Sequence, residues 1–194
     1  MKNYFFHNNI CDVRKKKSIL KNISLEEFIQ LSSTKIFLID LFPEKIADFE
    51  KLEQEEIFYT SEAEDNDRFF KYTENVISSL GEILGNDLII AVYWNDFNLS
   101  ELNDRHFFTE YIKSRGQREV FEVYAINSLS DSFFQEIVKM SLAGFVPVHI
   151  LDDYNDVFLF INDNEIVMYV EDESKASKMK HIVESHNLYL RRLC

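Results

Sequence analysis

Glycine and proline are rare in this chain of 194 residues. Only 4 Gly and 2 Pro are present, which argues against a long flexible linker and against a barrel or sandwich built from many tight turns. Regular helices and strands are therefore expected to dominate.

Cysteine is also scarce, and long apolar runs are missing. Cys11 and Cys194 form neither a disulfide framework nor a CxxC metal pair, which favours a reducing compartment. The first residues lack the apolar core of a secretory signal. The longest apolar run, residues 88–94, is far shorter than the roughly 18 residues that indicate a membrane span. We expect a soluble cytoplasmic protein that does not bind a membrane.

The motifs of familiar enzymes are missing as well. The four glycines stand alone, at positions 81, 85, 116 and 144, so no glycine-rich loop can bring backbone amides to a phosphate. The five histidines form no HExxH motif, and no Cys-His or Ser-His-Asp arrangement can be identified from sequence order. We expect no cofactor and no catalytic residues.

Acidic residues outnumber basic ones, and their distribution is uneven. The chain has 34 Asp and Glu against 21 Lys and Arg, a net charge of −13. Residues 1–23 hold six bases and one acid, a net charge of +5, whereas residues 44–67 hold ten acids and two bases, a net charge of −8. Such a chain repels nucleic acid phosphates and attracts a basic protein. Direct binding of nucleic acid is therefore not expected.

The hydrophobic pattern predicts an α+β (mixed α/β) fold in one globular domain, residues 1–194, with the basic segment 1–23 as its only candidate appendage. Strand-like and helix-like segments alternate over the first two thirds of the chain. Three strand-like runs between residues 145 and 171 are separated by turns rich in Asp and Asn, which predicts an antiparallel meander. A helix over residues 173–186 follows. We expect a mixed sheet flanked by helices.

The acidic segment, residues 44–67, is the main candidate for a binding surface. Aromatic residues interrupt the acids, and Phe69 and Phe70 follow them. Aromatic anchors inside a charged rim are typical of tight protein interfaces, although a solvated helix and loop would show the same charge. The predicted partner-binding residues are Glu53, Glu55, Glu56, Phe58, Tyr59, Glu62, Glu64, Asp65 and Asp67.

Aspartates follow three of the predicted strands and provide an alternative. Asp40, Asp96 and Asp152 would converge at one edge of the sheet if their strands were parallel, and there they could hold Mg²⁺ for metal-assisted chemistry. The simpler interpretation is that each aspartate starts a turn or caps a helix. Similarly, residues 152–156 favour a hairpin turn over a calcium loop, and His149 is expected to be a hydrogen-bonded core residue.

These observations lead to one preferred hypothesis and two alternatives. The preferred hypothesis is an acidic protein that neutralises or sequesters a basic partner, most concretely an immunity protein that inhibits a bacterial toxin such as a nuclease. One alternative is a metal-assisted hydrolase or transferase that uses the strand-end aspartates. The other is a structural or regulatory subunit that completes its apolar surface by self-association.

Overall fold

The computed structural model describes seven stretches of the chain that contain a sheet and three helices. The described residues are 35–42, 67–94, 121–129, 132–152, 154–163, 165–170 and 172–192. The strands are β1 (Ile36–Asp40), β2 (Leu88–Tyr93), β3 (Phe121–Ile126), β4 (Val148–Asp152), β5 (Val157–Asn162), β6 (Glu165–Val170) and β7 (Tyr189–Arg192). The helices are α1 (Asp67–Ile83), α2 (Ser132–Leu142) and α3 (Glu173–Ser185).

The seven strands form one sheet in the order β3-β2-β4-β5-β6-β1-β7. Each of the six strand pairs in the described part of the chain is antiparallel. The meander β4-β5-β6 and the helix after it confirm the predicted C-terminal pattern, and the α+β class is confirmed. The sheet, predicted to be mixed, is antiparallel in every pair of described strands, which matters for the strand-end aspartates.

Both faces of the sheet carry buried apolar residues. We call the first the helix face, because side chains such as Val76 of α1, Ile137 of α2 and Val183 of α3 pack there against alternate strand residues. The opposite face carries a second buried cluster: Ile36, Ala91, Leu151, Phe158, Phe160, Val167 and Tyr169. No described helix contributes to that second cluster. Burial on both sides explains why the strands read as nearly continuous apolar runs.

Helices α2 and α3 end in the same hydrogen-bonded turn. After α2 the N–H of Phe145 donates to the carbonyl of Met140, and Gly144 adopts a left-handed φ of 76°. After α3 the N–H of Leu188 donates to the carbonyl of Val183, and Asn187 takes the left-handed position with a φ of 58°. This Schellman turn satisfies carbonyls at the helix ends and directs the chain into β4 and β7.

Two glycines provide a matched test of this geometry. Gly144→Ala is expected to destabilise the fold by about 1–2 kcal/mol, because the left-handed φ is costly for a residue with a Cβ, and the new Cβ would lie 3.1 Å from Oδ1 of Asp163. Gly81→Ala, inside α1, is expected to stabilise the fold by about 0.5–1 kcal/mol, because nothing lies within 4 Å of the added Cβ. Urea unfolding of both variants checks the two signs, and a loss of stability in both would contradict this account.

Over the described ranges, none of the helices is long and apolar enough to cross a bilayer.

Candidate functional site

The start of α1 is the described part of the chain that adjoins the acidic segment. Phe69, Tyr72 and Val76 are buried against the sheet, and their spacing of three and four residues gives α1 its apolar face. Phe70 is turned outward and is 46% exposed. The adjacent pair Phe69 and Phe70 is therefore divided between the core and the surface, with their ring centroids 6.1 Å apart.

Two carboxylates accompany the ring of Phe70 on the outer side of α1. Asp67 and Glu74 are both exposed, and spacings of three and four residues place Asp67, Phe70 and Glu74 on neighbouring positions of one helix face. Arg68 and Lys71 are exposed nearby. We call Asp67, Phe70 and Glu74 the entry surface of α1. It combines a large apolar ring with acidic neighbours.

Only one of the nine predicted partner-binding residues lies in the described stretches. Asp67 is exposed and is the first residue of α1, where a negative charge interacts favourably with the helix dipole. The remaining eight lie outside the described residues: Glu53, Glu55, Glu56, Phe58, Tyr59, Glu62, Glu64 and Asp65. Their role stays a prediction.

The strand-end aspartates do not meet as the metal hypothesis requires. Strands β1 and β4 are separated by β6 and β5 and run in opposite directions, so Asp40 and Asp152 lie at opposite edges of the sheet. Three strand spacings separate them by about 14 Å sideways, and the strand length adds roughly 13 Å. Convergence of this pair on one metal is therefore wrong, because the strands are not parallel. Asp96 lies outside the described residues.

Asp152 instead accepts hydrogen bonds from two chain connections around it. Its side chain is fully buried. Oδ2 accepts the backbone N–H of Gly85 at 2.7 Å and the side-chain amide of Asn155 at 2.8 Å. Oδ1 accepts the backbone N–H groups of Tyr154 and Asn155, each at 3.0 Å. This is the turn-forming role that the simpler interpretation predicted, and residues 154–156 form the expected turn.

Asp40 has a separate structural partner. Its Oδ1 accepts the N–H of Phe42 at 3.0 Å, and its other oxygen pairs with the guanidinium of Arg191 in β7. This ion pair connects the neighbouring strands β1 and β7. Sequence reasoning missed this partner, because Arg191 lies about 150 residues away and no local pattern connects the two.

His149 lies on the sheet face opposite the helices and is 3% exposed. Its Nδ1 is 3.1 Å from the hydroxyl of Tyr93, and the rings of Tyr93, Phe158 and Phe160 surround it at centroid distances of 5.0–5.3 Å. Burial lowers the pKa of His149 from 6.5 to about 4, so the ring is neutral at pH 7. The prediction of a hydrogen-bonded core histidine is confirmed.

Within the described part of the chain, no group of three or more His, Cys, Asp or Glu side chains is arranged to hold a metal ion.

Comparisons with protein-family models, with curated proteins and with solved structures gave no match.

Proposed function

We propose that this protein binds and neutralises a basic protein partner in the cytoplasm, and that its most concrete role is that of an immunity protein inhibiting a bacterial toxin such as a nuclease. The observation that supports this most is the entry surface of α1. The ring of Phe70 is 46% exposed immediately after a segment, residues 44–67, with a net charge of −8.

Charge and ring would contribute at different stages of binding. The carboxylates steer a cationic partner toward the surface and raise the association rate, an effect that weakens as salt screens the charges. An exposed aromatic ring then buries apolar area at the contact and slows dissociation. A nuclease is a suitable target because its active-site surface is basic, and carboxylates can take the place of phosphates there.

A capture experiment provides the first test. The tagged full-length chain is incubated with lysate of its host at about 50 mM and at about 500 mM salt, conditions that differ several-fold in screening, and the retained proteins are identified. We expect one basic protein that is retained at low salt and largely lost at high salt. After purification, its affinity for the chain and the effect of the chain on its activity are measured directly.

Charge-neutralised variants then locate the surface. The triple variant Glu53→Gln, Glu55→Gln and Glu56→Gln is expected to weaken binding at least tenfold at low salt and much less at high salt, because steering and rim contacts are lost. The matched control removes three carboxylates elsewhere: Asp163→Asn, Glu165→Gln and Glu184→Gln, all exposed. Equal losses in the two variants would show a general effect of net charge and would contradict a binding surface at residues 44–67.

Phe70→Ala tests the aromatic part of the proposal separately. Because nearly half of the side chain is solvent-exposed, the free energy of unfolding is expected to fall by only about 1 kcal/mol, whereas dissociation of the partner is expected to become at least about tenfold faster. Ser177→Ala, at an exposed position of α3, is the control. An unchanged dissociation rate for Phe70→Ala would remove the ring from the proposed interface.

A further inference from the structure

Tyr154 has the most exposed large apolar side chain in the described stretches. It is 85% exposed, and Phe70 at 46% is the only other large apolar side chain of this kind there. Tyr154 lies in the turn between β4 and β5. An isolated exposed ring is common on protein surfaces, so its significance depends on the backbone that presents it and on the surrounding charge.

Hydrogen bonds link this turn to two other parts of the fold, the connection from α1 to β2 and helix α3. The buried carboxylate of Asp152 accepts the N–H of Tyr154 itself and also the N–H of Gly85, in the connection from α1 to β2. From α3, Nζ of Lys175 donates to the carbonyl of Asn155 at 3.0 Å and pairs with Asp156 at 3.2 Å. The ring of Tyr154 thus projects into solvent from an ordered base, so little backbone entropy is lost when it binds a partner.

Carboxylates surround this edge of the sheet. Asp87 is exposed just before β2, Asp156 is half-buried in the turn, and Asp172 and Glu173 are exposed at the start of α3. Three bases lie at the same edge, each close to one of these acids. Lys175 pairs with Asp156, and Arg192 pairs with Glu173 at 2.8 Å. Lys35 lies near Asp172. The four acids exceed the three bases by one, and this small acidic excess favours a cationic group over a phosphate beside the ring.

We infer that Tyr154 is a second aromatic anchor for the basic protein partner and receives an Arg or Lys side chain of that partner on its ring. The inference rests on the proposed function for the positive charge of the partner. Guanidinium and ammonium groups bind over tyrosine rings, and tyrosine is enriched among the residues that contribute most to protein interfaces. The hydroxyl of Tyr154 can form one further hydrogen bond to the partner.

One partner can reach both aromatic anchors along α1. From Phe70 to Ile83 the helix rises about 20 Å, whereas a standard interface of about 800 Å² per partner is roughly 30 Å across. Glu74, Ser78 and Gly81 follow Phe70 at spacings of three and four, and all three are exposed. Gly85, just past the end of α1, is half-buried, and its N–H donates to the carboxylate of Asp152 beneath the turn. The exposed face of α1 therefore leads from the entry surface toward the connection that lies beneath the turn of Tyr154.

Photo-cross-linking in the host tests whether position 154 contacts the partner. A photoreactive phenylalanine analogue replaces Tyr154 in the full chain, and the same analogue replaces Ser177, an exposed position of α3, as the control. We expect an adduct with a basic protein from position 154 and none from position 177. If position 154 gives no more adduct than position 177, the inference is overturned.

Affinity measurements with the purified partner complete the test. We expect Tyr154→Ala to weaken binding at least tenfold, Tyr154→Phe to remain within about threefold because the ring is kept, and Ser177→Ala to bind as the wild type does. The melting temperature of each variant shows that the fold is intact. Binding of Tyr154→Ala within twofold of the wild type would overturn the inference.

The two proposals fail in different ways. If the triple glutamine variant at positions 53, 55 and 56 loses binding and Tyr154→Ala does not, the binding role of the acidic segment is supported and the inference about Tyr154 is wrong. If Tyr154→Ala loses binding and the triple variant does not, the partner contacts the turn, and the proposed binding role of the acidic segment is wrong. If no basic protein is captured or cross-linked, both are wrong.

Discussion

Replacing Asp152 with alanine is expected to destabilise the fold by about 3–5 kcal/mol, because four partly buried donor groups lose their shared acceptor at once. Its carboxylate is fully buried and accepts hydrogen bonds from Gly85, Tyr154 and Asn155. The backbone N–H groups cannot move away to find water without breaking the turn or the start of β2. Unfolding in urea, followed by circular dichroism, measures the loss.

Two further variants make the test of Asp152 specific. Asp152→Asn keeps the shape of the side chain but replaces one acceptor oxygen with an NH₂ group that faces existing donors, so we expect an intermediate loss of about 2–3 kcal/mol. Glu74→Ala removes an exposed carboxylate and should change the free energy of unfolding by less than about 0.5 kcal/mol. If Asp152→Ala were as mild as Glu74→Ala, the network would contribute little to stability.

The second large effect is a loss of stability in mild acid that depends on His149. The pKa of His149 is about 4 in the folded state, against 6.5 in the unfolded chain. Between these pH values the unfolded state therefore binds more protons than the folded state. The free energy of unfolding therefore falls as the pH drops from about 6.5 to about 4, and the contribution of this one ring amounts to about 3 kcal/mol. Burial raises the pKa of Tyr93 to about 12, so its hydroxyl supplies no negative charge.

Variants at His149 separate this contribution from the titration of the many carboxylates. His149→Gln keeps a polar group beside the hydroxyl of Tyr93, and His149→Phe fits the aromatic surroundings, but neither titrates. Both are expected to lose less stability than the wild type between pH 7 and pH 4, whatever their stability at pH 7. The measurement is urea unfolding at half-unit pH steps. Parallel curves for the wild type and both variants would contradict a buried neutral histidine.

Much of the secondary structure was predictable because its signals are local. Phe69, Tyr72, Val76 and Leu80 recur at the spacings of three and four residues that are typical of an amphipathic helix, and all four are buried in α1. Turns rich in Asp and Asn predicted the three strands of the meander, and all three are present. In each case the backbone geometry of a few neighbouring residues decides which side chains point inward.

β7 was missed, and its length explains why. It has four residues, Tyr189–Arg192, too few to show a periodic pattern. Its place in the sheet comes from pairing with β1, about 150 residues earlier in the chain, and from the Schellman turn after α3. The ion pair between Asp40 and Arg191 belongs to the same long-range pairing and was missed for the same reason.

The sequence by itself determined the α+β class, the segments of most described helices and strands, the core position of His149 and the excess of acid, since each follows from composition or from short-range periodicity. Only the tertiary structure decided strand order and direction. Continuous apolar runs in β2 and β5 require burial on both faces, but they are compatible with parallel or antiparallel neighbours. Which strands pair depends on the apolar area and hydrogen bonds summed over the whole sheet, and that choice separated Asp40 from Asp152 while it joined Asp152 to Gly85.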